Sequence, residues 1–275
     1  MPETKTAILT GGSGFLGSHF IKGLSKNHHS IYVLDTKPLN KKLITEFSNL
    51  DIEYFNVNVS VEIEVVDFFE SIKDRGILLT TLINAAASNP AVSSDGMEDS
   101  SKFENFEVKN FEKSVSGSLL GSSLMCREFV KYNNNKNLNY EKFILNIGSD
   151  LSVIAPDNRI YGKNKNNEDI FKPIEYSISK HGILGLTKYL AVYLADKNYR
   201  VNTLSPTGIF NNQDGEFVKK FSNTVPSGRM LNPEEIISHV AYLTSSDSQF
   251  LTGQNIVVDG GITLRMHDNE DTGAE

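Results

Sequence analysis

The chain has 275 residues, of which 39% are apolar and 22% charged, and its formal net charge is −7. This composition is that of a soluble protein with a real core, and an acidic chain without a clustered basic stripe is not expected to bind nucleic acid or a membrane surface. With one cysteine, Cys126, no signal pattern and no apolar run long enough to span a bilayer, we expect a cytoplasmic protein without disulfides and without a metal site.

A glycine-rich turn near the start of the chain is the first motif. A short buried strand is predicted at residues 6–10, followed by the sequence 11–17 (GGSGFLG) and an amphipathic helix. Strand, glycine turn and helix together bind a pyrophosphate, because glycines let the backbone approach phosphate and the helix N-terminus offers N–H groups. A glycine turn without a ligand is the alternative.

The second predicted strand, residues 31–34, ends at Asp35, about 20 residues past the glycines. A carboxylate there accepts hydrogen bonds from the adenosine ribose hydroxyls and repels a 2′-phosphate. Asp35 therefore favours NAD, while the nearby Lys37 leaves NADP as an alternative cofactor. The other interpretation is that Asp35 only caps the next turn.

Strands and helices continue to alternate in the next part of the chain. A helix over about 39–50 precedes a third strand at 52–57, and a further helix over 61–72 has Ser60 as its predicted N-cap. A fourth strand is predicted at 79–83.

Small residues follow the fourth strand, in the sequence 84–87 (NAAA). They let a flat ring or a ribose approach the backbone, or they pack tightly in a core. Residues 88–99 are polar and turn-rich. Two helices are predicted next, the second over about 111–132, and the asparagine-rich residues 133–137 are expected to form a loop.

A tyrosine and a lysine four residues apart follow the fifth strand. That strand is predicted at 142–147, and the polar segment 156–173 is expected to be an insertion beside the pocket. Tyr176 and Lys180 then begin a predicted helix, so their side chains lie on one face, one turn apart. A nearby ammonium lowers the pKa of a phenol, which suits a general acid or base. A chance pair on a solvated helix is the alternative.

The last third of the chain completes the alternation. A sixth strand is predicted at 200–204, a polar and mobile stretch reaches Arg229, and a helix begins at Pro233. The last strand is predicted at 256–258. Residues 266–275 are expected to form a polar tail.

This alternation predicts a single α/β domain over residues 1–265, a Rossmann-type doubly wound parallel sheet with helices on both faces. Ligands bind beyond the carboxyl ends of the strands in such sheets. Five candidate residues stand at predicted strand ends and should meet at one edge: Gly11, Asp35, Asn84, Ser149 and Pro206.

The motifs resemble, in order and spacing, those of the short-chain dehydrogenase/reductase family over nearly the whole chain. The matching sequences are 10–17 (TGGSGFLG), 84–87 (NAAA), 146–149 (NIGS), 176–180 (YSISK), 200–202 (RVN), 206–209 (PTGI) and 252–261 (TGQNIVVDGG). The glycine spacing is similar to the extended branch, whereas the length and the C-terminal motif are similar to classical members. A weaker similarity, at 149–156, Tyr161 and Lys172, is to members from bacterial surface-sugar or flagellin-glycan pathways.

The resemblance implies hydride transfer between NAD(H) and the alcohol or ketone carbon of a small polar, sugar-derived substrate. It implies that Tyr176 moves the proton, that Lys180 lowers the tyrosine pKa and holds the nicotinamide ribose, and that Ser149 hydrogen-bonds the substrate oxygen. Ser118 aligns with the asparagine of the family's proton relay. The residues expected to bind the cofactor are Gly11, Ser13, Gly14, Phe15, Leu16, Asp35, Asn58, Val59, Asn84, Ala85, Ala86, Tyr176, Lys180, Pro206, Gly208 and Ile209.

The resemblance also implies a homo-oligomer, a tetramer or a dimer, built from the helices that begin near Phe111 and Tyr176. Two alternatives stay open at this point. The glycine spacing is also compatible with an epimerase or dehydratase that holds NAD tightly. Ser118 in place of asparagine is compatible with a catalytically weak dinucleotide-binding protein.

Overall fold

A parallel sheet of seven strands forms the centre of the part of the chain that the structure describes. The computed structural model describes residues 5–40, 45–87, 101–136, 140–163 and 167–264. The strands are β1 (Lys5–Thr10), β2 (Ser30–Asp35), β3 (Asp51–Asn56), β4 (Leu78–Asn84), β5 (Lys142–Ile147), β6 (Tyr199–Pro206) and β7 (Asn255–Val258). Their order across the sheet is β3-β2-β1-β4-β5-β6-β7.

Helices connect the strands and cover the sheet. They are α1 (Gly17–Leu24), α2 (Glu62–Ile72), α3 (Val108–Val115), α4 (Gly121–Lys136), α5 (Ile174–Tyr193), α6 (Gly215–Thr224) and α7 (Ile237–Leu243). A π-helical turn, Ser116–Leu120, joins α3 to α4. A 3₁₀ turn, Pro233–Ile236, leads into α7.

Two apolar clusters lie on opposite faces of the sheet, as the alternation of side chains along a strand requires. Within β1, Ile8 belongs to the cluster that includes residues of α2, α4 and α5. The adjacent Leu9 belongs to the cluster that includes residues of α1 and α7. Both side chains are fully buried. A sheet that is covered on both faces confirms the predicted doubly wound architecture.

The parallel register brings the carboxyl ends of the central strands level with one another. Thr10 pairs with Asn84, and Asn84 in turn pairs with Asn146. Asn146 pairs with Thr203 of β6. The turns that follow β1, β4, β5 and β6 therefore emerge along one edge, which is where the candidate residues were expected to meet.

The predicted strands are confirmed within two residues at each end. Three predictions about where helices lie or begin were wrong. Residues 133–136 continue α4 instead of forming a loop, and Asn133 bonds back to the Phe129 carbonyl. Ser60 is not a cap, because α2 begins at Glu62 and the Asn58 side chain accepts the Ser60 N–H. The stretch before Arg229 contains α6.

Helix α6 has a local start signal in its N-cap. The Asp214 carboxylate accepts the N–H groups of Glu216 and Phe217, at 2.9 and 3.4 Å.

The predicted helix over about 111–132 is also longer than expected, because α3 begins at Val108 and a π-helical turn precedes α4.

Other predictions fall on residues outside the described ranges. These are residues 41–44 of the predicted helix 39–50, the turn-rich stretch 88–99, residue 137 of the predicted loop, residues 164–166 of the insertion, and the tail 266–275. The division of the chain at residue 265 stays a prediction.

Candidate active site

A large cavity opens at the carboxyl edge of the sheet. Its volume is about 1690 Å³, and its wall includes residues from the turns after β1, β2, β3, β4, β5 and β6. Pockets for a single small ligand measure about 300–1,000 Å³. This cavity therefore has room for a dinucleotide and a substrate together.

Most of the predicted site residues line this cavity. They are Gly11, Ser13, Gly14, Phe15, Leu16, Asp35, Asn58, Val59, Ala85, Ala86, Ser149, Tyr176, Lys180, Pro206, Gly208 and Ile209. Two predicted residues, Asn84 and Ser118, are not part of the lining.

The glycine turn after β1 has a backbone that only glycine tolerates. Gly11 has φ of +72°, and a Cβ there would lie 2.8 Å from the Ala86 backbone. A Cβ on Gly17 would overlap the carbonyl oxygen of Gly12. This turn leads into α1, and its glycine backbone lies in the cavity wall, which fits the close approach of the pyrophosphate of a dinucleotide.

Asp35, at the end of β2, is tied to the glycine turn. Its carboxylate oxygens accept the N–H groups of Ser13 and Lys37, both at 3.0 Å. The Ser13 hydroxyl in turn donates to the Lys37 carbonyl at 2.7 Å. These bonds fix a negative charge in the cavity wall at the place where an adenosine ribose was expected.

Asn84 turns into the interior of the protein, contrary to its expected contact with a cofactor. Its amide nitrogen donates to Asn146 Oδ1 at 2.8 Å and to Cys126 Sγ at 3.2 Å. Asn146 then donates to Thr187 Oγ1 at 2.8 Å. This buried polar chain joins β4 and β5 to α5, so the Asn84 side chain stabilises the fold beneath the cavity.

The peptides after Asn84 do reach the cavity. The N–H groups of Ala85 and Ala86 both donate to Thr10 Oγ1, at 3.1 Å. Asn58 also lines the wall, and its Oδ1 accepts the Ser60 hydroxyl at 2.7 Å, which holds the side chain in place.

Tyr176 and Lys180 lie on the first two turns of α5 and face the cavity together with Ser149. The Lys180 ammonium is 5.7 Å from the centre of the Tyr176 ring. It donates to the Ile147 carbonyl at 2.8 Å, at the end of β5. This bond holds the lysine ammonium at the end of β5, in the lining of the cavity.

The protonation of this pair differs from the sequence-based expectation. The pKa of Tyr176 is raised to about 12, chiefly by burial; an interaction with the Ser149 side chain lowers this pKa, and the negative charge of Asp150 raises it. Burial lowers the pKa of Lys180 to about 8, and the positive charge of Lys172 lowers it as well. The predicted lowering of the tyrosine pKa was therefore wrong for the protein without ligand, because loss of solvent outweighs the nearby ammonium.

Ser149 begins a short 3₁₀ turn after β5 and is bonded on several sides. Its hydroxyl donates to Asp150 Oδ1 at 2.7 Å and accepts the Leu151 N–H at 3.2 Å. Its backbone N–H donates to the Ser152 hydroxyl at 3.0 Å. This capping arrangement fixes the serine beside the tyrosine.

Asp150 was given no role by sequence reasoning, yet its carboxylate is buried beside Ser149. Its second oxygen, Oδ2, accepts the Thr207 hydroxyl at 2.7 Å. Burial raises its pKa. Its place next to the serine was visible in the sequence, but the contact with Thr207, 57 residues away, was not.

Lys172 is a second functional candidate without a predicted role. Its ammonium lies 4.2 Å from the centre of the Tyr176 ring, and burial lowers its pKa to about 8. It stands between the main cavity and a smaller one of about 660 Å³. Its signals in the sequence were its position directly before Pro173 and its place in the weaker similarity to surface-sugar members.

Residues of the insertion form one wall of the cavity. Tyr161 stacks against Phe217 of α6, with ring centres 6.1 Å apart. Gly208 lets Phe221 of the same helix pack against the chain after β6, because a Cβ at Gly208 would overlap the phenylalanine ring. The insertion and α6 thus enclose the space in front of Tyr176.

Ser118 lies in the π-helical turn before α4 and is buried. Its hydroxyl donates to the Ser114 carbonyl at 2.6 Å, and the neighbouring Gly117 lines the cavity instead. The serine side chain therefore cannot take the relay position that the resemblance implied without breaking this bond.

The part of the chain that the structure describes contains neither a membrane-spanning helix nor a metal-binding cluster. No helix within 5–40, 45–87, 101–136, 140–163 or 167–264 has the length and apolarity needed to cross a membrane. The same ranges contain no group of three or more His, Cys, Asp or Glu side chains arranged to hold a metal.

Known proteins that are similar to this chain agree with its fold and with the geometry of its site. A family model described as enoyl-(acyl carrier protein) reductase matches residues 170–263. Post-translational flagellin modification protein A of Campylobacter coli is 38% identical over 141 residues, which is 51% of this chain and 52% of that protein. An NAD-dependent glycerol dehydrogenase of Listeria innocua is 26% identical over 269 residues, which is 95% of this chain and 94% of that protein.

A solved structure extends the similarity over almost the whole chain. It is a short-chain dehydrogenase from Leptospira borgpetersenii with bound NAD⁺, and it is 32% identical with a TM-score of 0.80. The match covers 95% of this chain and 93% of that one. The sheet order, the glycine turn and the Tyr-x-x-x-Lys helix agree with this similarity. The chain therefore belongs to the short-chain dehydrogenase/reductase family and is an oxidoreductase that uses a nicotinamide dinucleotide on alcohol and ketone groups.

Proposed function

We propose that the protein interconverts a secondary alcohol and a ketone on a small, polar, sugar-derived substrate, with NAD(H) as its preferred cofactor. The observation that carries this proposal is the meeting of Tyr176, Lys180 and Ser149 in one cavity with the glycine turn and Asp35. Tyr176 and Lys180 come from α5, whereas Ser149, the glycine turn and Asp35 stand at the ends of three different strands.

The residues present fit a dinucleotide. The glycine turn and the start of α1 would hold the pyrophosphate, Asp35 the adenosine ribose, and Lys180 the nicotinamide ribose. When bound, the nicotinamide supplies the carbon that accepts or donates hydride.

Tyr176 would move the proton of the substrate oxygen. Burial raises the pKa of its phenol to about 12, so the phenol would carry its proton at neutral pH and could protonate the oxygen of a ketone that is being reduced. Ser149, at hydrogen-bond distance from both Asp150 and Leu151, would position that oxygen. The stacked rings of Tyr161 and Phe217 form part of the wall of the main cavity.

The preference for NAD rests on the charge of Asp35. The two backbone N–H groups that bond this carboxylate hold it at the cavity wall, where it would accept ribose hydroxyls and repel a 2′-phosphate. Steady-state kinetics with NAD and NADP under identical conditions test this point. A higher kcat/KM with NADP would contradict it.

A sugar-like substrate is supported by the polar groups that face Tyr176 and by the relatives. Lys172 and Asn158 line the cavity beside the tyrosine. The names of the Listeria and Campylobacter relatives refer to glycerol and to flagellin modification. The test is a panel of polyols, aldonic acids and ketoses, read by NADH absorbance. If NADH binds but none of these compounds is turned over, a catalytically weak dinucleotide-binding protein would be favoured. Net formation of NADH would exclude a redox-neutral epimerase.

We also propose a homo-oligomer located in the cytoplasm. Apolar side chains that are exposed in the single chain support an association surface on α5: Tyr189 is 65% exposed, Val192 80% and Tyr193 57%. Light scattering on the purified protein tests the association, and a mass of 30.5 kDa at micromolar concentration would contradict it.

A further inference from the structure

We propose that the smaller cavity is a subsite for an uncharged apolar group of the substrate, either an alkyl chain or an aromatic ring. The inference rests on the proposed function, because it takes the reacting alcohol carbon to lie beside Tyr176. It adds that the substrate has two parts: a polar part at the tyrosine and an apolar part that occupies the small cavity.

The small cavity adjoins the main one at the start of α5. Tyr176 and Lys180 line the main cavity, whereas Ile174 and Ser177, on the first turn of the same helix, line the small one. Both walls share five residues of the insertion: Pro156, Asn158, Asp169, Phe171 and Lys172. The Lys172 ammonium lies 4.2 Å from the centre of the Tyr176 ring. The small cavity is therefore the adjoining space for any part of the substrate that extends beyond Lys172.

Three phenylalanines contribute to the wall of the small cavity. Phe103 and Phe106 come from a short turn before α3, with ring centres 6.0 Å apart, and Phe171 comes from the insertion. Phe103 is 66% exposed and Phe106 38%. Large apolar side chains that stay exposed around a concave space mark a binding site, because a ligand would remove them from water. The volume of about 660 Å³ is that of a pocket for a small ligand.

Polar contacts join the two sides of the small cavity. The Lys102 ammonium pairs with the Glu168 carboxylate at 3.1 Å. The Phe171 N–H donates to the Ser101 hydroxyl at 3.4 Å. These contacts link the chain around Phe103 to the insertion, so the space between them is held by the fold.

The charges in this wall favour an uncharged ligand group. Among the described residues, the wall contains two ammonium groups and three carboxylates: Lys102, Lys172, Glu104, Glu168 and Asp169. Lys102 pairs with Glu168, and Asp169 lies 3.6 Å from the Lys163 ammonium. A phosphate or diphosphate would meet more carboxylates than ammonium groups here, and a charge without matching partners is costly to take from water. The wall therefore suits an alkyl or aryl group better than a nucleoside diphosphate.

A series of 1,2-diols tests this subsite, because each member has a secondary alcohol and an alkyl chain of chosen length. A methylene that moves from water to an apolar wall improves binding about fourfold. From propane-1,2-diol to octane-1,2-diol we expect kcat/KM with NAD to rise about 30-fold or more, which corresponds to burial of about half of the added methylenes. Equal or lower kcat/KM for the longer diol would overturn the proposal.

A matched pair of variants places the alkyl chain in the small cavity. Phe103→Ala removes part of the apolar wall and should lower the ratio of the two kcat/KM values at least about threefold. Because the Phe103 side chain is mostly exposed, its removal should not prevent folding. Ile63→Ala changes a side chain of α2 that is 61% exposed and lines neither cavity, and it should leave the ratio unchanged. The same ratio in both variants would overturn the proposal.

A binding measurement decides the question if no diol is oxidised. N-phenyl-1-naphthylamine and 8-anilino-1-naphthalenesulfonate share one fluorescent skeleton, and only the second carries a charge. With the protein saturated with NAD, we expect the neutral probe to bind at least about tenfold more tightly, because the sulfonate would lie near carboxylates. Phe103→Ala should weaken its binding, and Ile63→Ala should not. Equal or tighter binding of the sulfonate, or equal effects of the two substitutions, would overturn the proposal. Normal turnover in Tyr176→Phe would instead reject the proposed function itself.

Discussion

Two ammonium groups lie close to the ring of one phenol in the candidate active site. Lys180 and Lys172 lie 5.7 and 4.2 Å from the centre of the Tyr176 ring, and burial lowers the pKa of each to about 8. Lys180 is bonded to the floor of the cavity through the Ile147 carbonyl. Lys172 comes from the segment 156–173 and lines both cavities, so we expect it to contact the substrate.

Replacing Lys172 by methionine tests this assignment. The variant keeps most of the side-chain volume but loses a charged hydrogen-bond donor, which is worth about 1.5–3 kcal/mol. This loss of binding energy corresponds to a rise in KM for the polar substrate of roughly tenfold or more. The affinity for NADH should be unchanged. Lys188→Met, at an exposed position on α5, is the matched control. Equal KM values in the two variants would show that Lys172 does not contact the substrate.

Residue-level chemistry was only partly predictable from the sequence. Tyr176, Lys180 and Ser149 were identified because their spacing follows a family motif. The buried contact of Asp150 with Thr207 joins residues 57 positions apart, and no linear pattern contains such a contact. The side chain of Asn84 was misplaced for a related reason: the end of a strand does not tell which way the last side chain points.

At the level of elements, α5 is fastened to the sheet by buried hydrogen bonds. Thr187, 1% exposed, accepts from Asn146 of β5 at 2.8 Å and shares a bond of 2.7 Å with Thr203 of β6. Tyr176 stands on the same helix, three turns before this contact. The position of the phenol therefore depends on the attachment of the whole helix.

Thr187→Val should weaken that attachment. Valine has a similar shape but leaves the Asn146 amide and the Thr203 hydroxyl without this partner, at a cost of about 1–3 kcal/mol. Urea unfolding should show this loss. Ser123→Ala, which removes a hydroxyl bonded only to a carbonyl of its own helix, should change stability by less than about 0.5 kcal/mol. An equal loss in both variants would contradict the account of the α5 attachment.

The elements that sequence predicted well are those with a strong apolar pattern. The strands were placed within two residues, because each is a short apolar run bounded by glycine, asparagine or charged residues. Helix α6 was missed because its sequence, GEFVKKFSNT, is polar on average and its apolar side chains meet a distant partner, Tyr161. Residues 133–136 were misassigned because asparagine favours turns in isolation, yet here Asn133 bonds within α4.

For the whole molecule, one buried histidine should make stability depend on pH. His28 is 3% exposed, and burial lowers its pKa to about 4. Its ring contacts the Leu24 carbonyl and the hydroxyls of Thr80 and Thr81. Since an unfolded histidine binds a proton near pH 6.5, the unfolded chain takes up the proton first as pH falls.

The contribution of His28 is therefore present above about pH 6.5 and is lost as pH falls toward 4. Between pH 7 and pH 4.5 this group should account for about 2–3 kcal/mol of lost unfolding free energy. His28→Gln should lack that part of the decrease, so that its stability falls less steeply than that of the wild type in urea unfolding at the two pH values. Parallel decreases would show that His28 is protonated in the folded protein.

The central claim is that the Tyr176 phenol moves the substrate proton in a cavity that also binds the dinucleotide. Its most direct test is the turnover of Tyr176→Phe, measured by NADH absorbance and paired with calorimetry of NADH binding. We expect kcat to fall by about 100-fold or more, because a general acid–base group has been removed, while the NADH dissociation constant stays within about threefold of the wild-type value. Turnover at the wild-type rate in this variant would contradict the account.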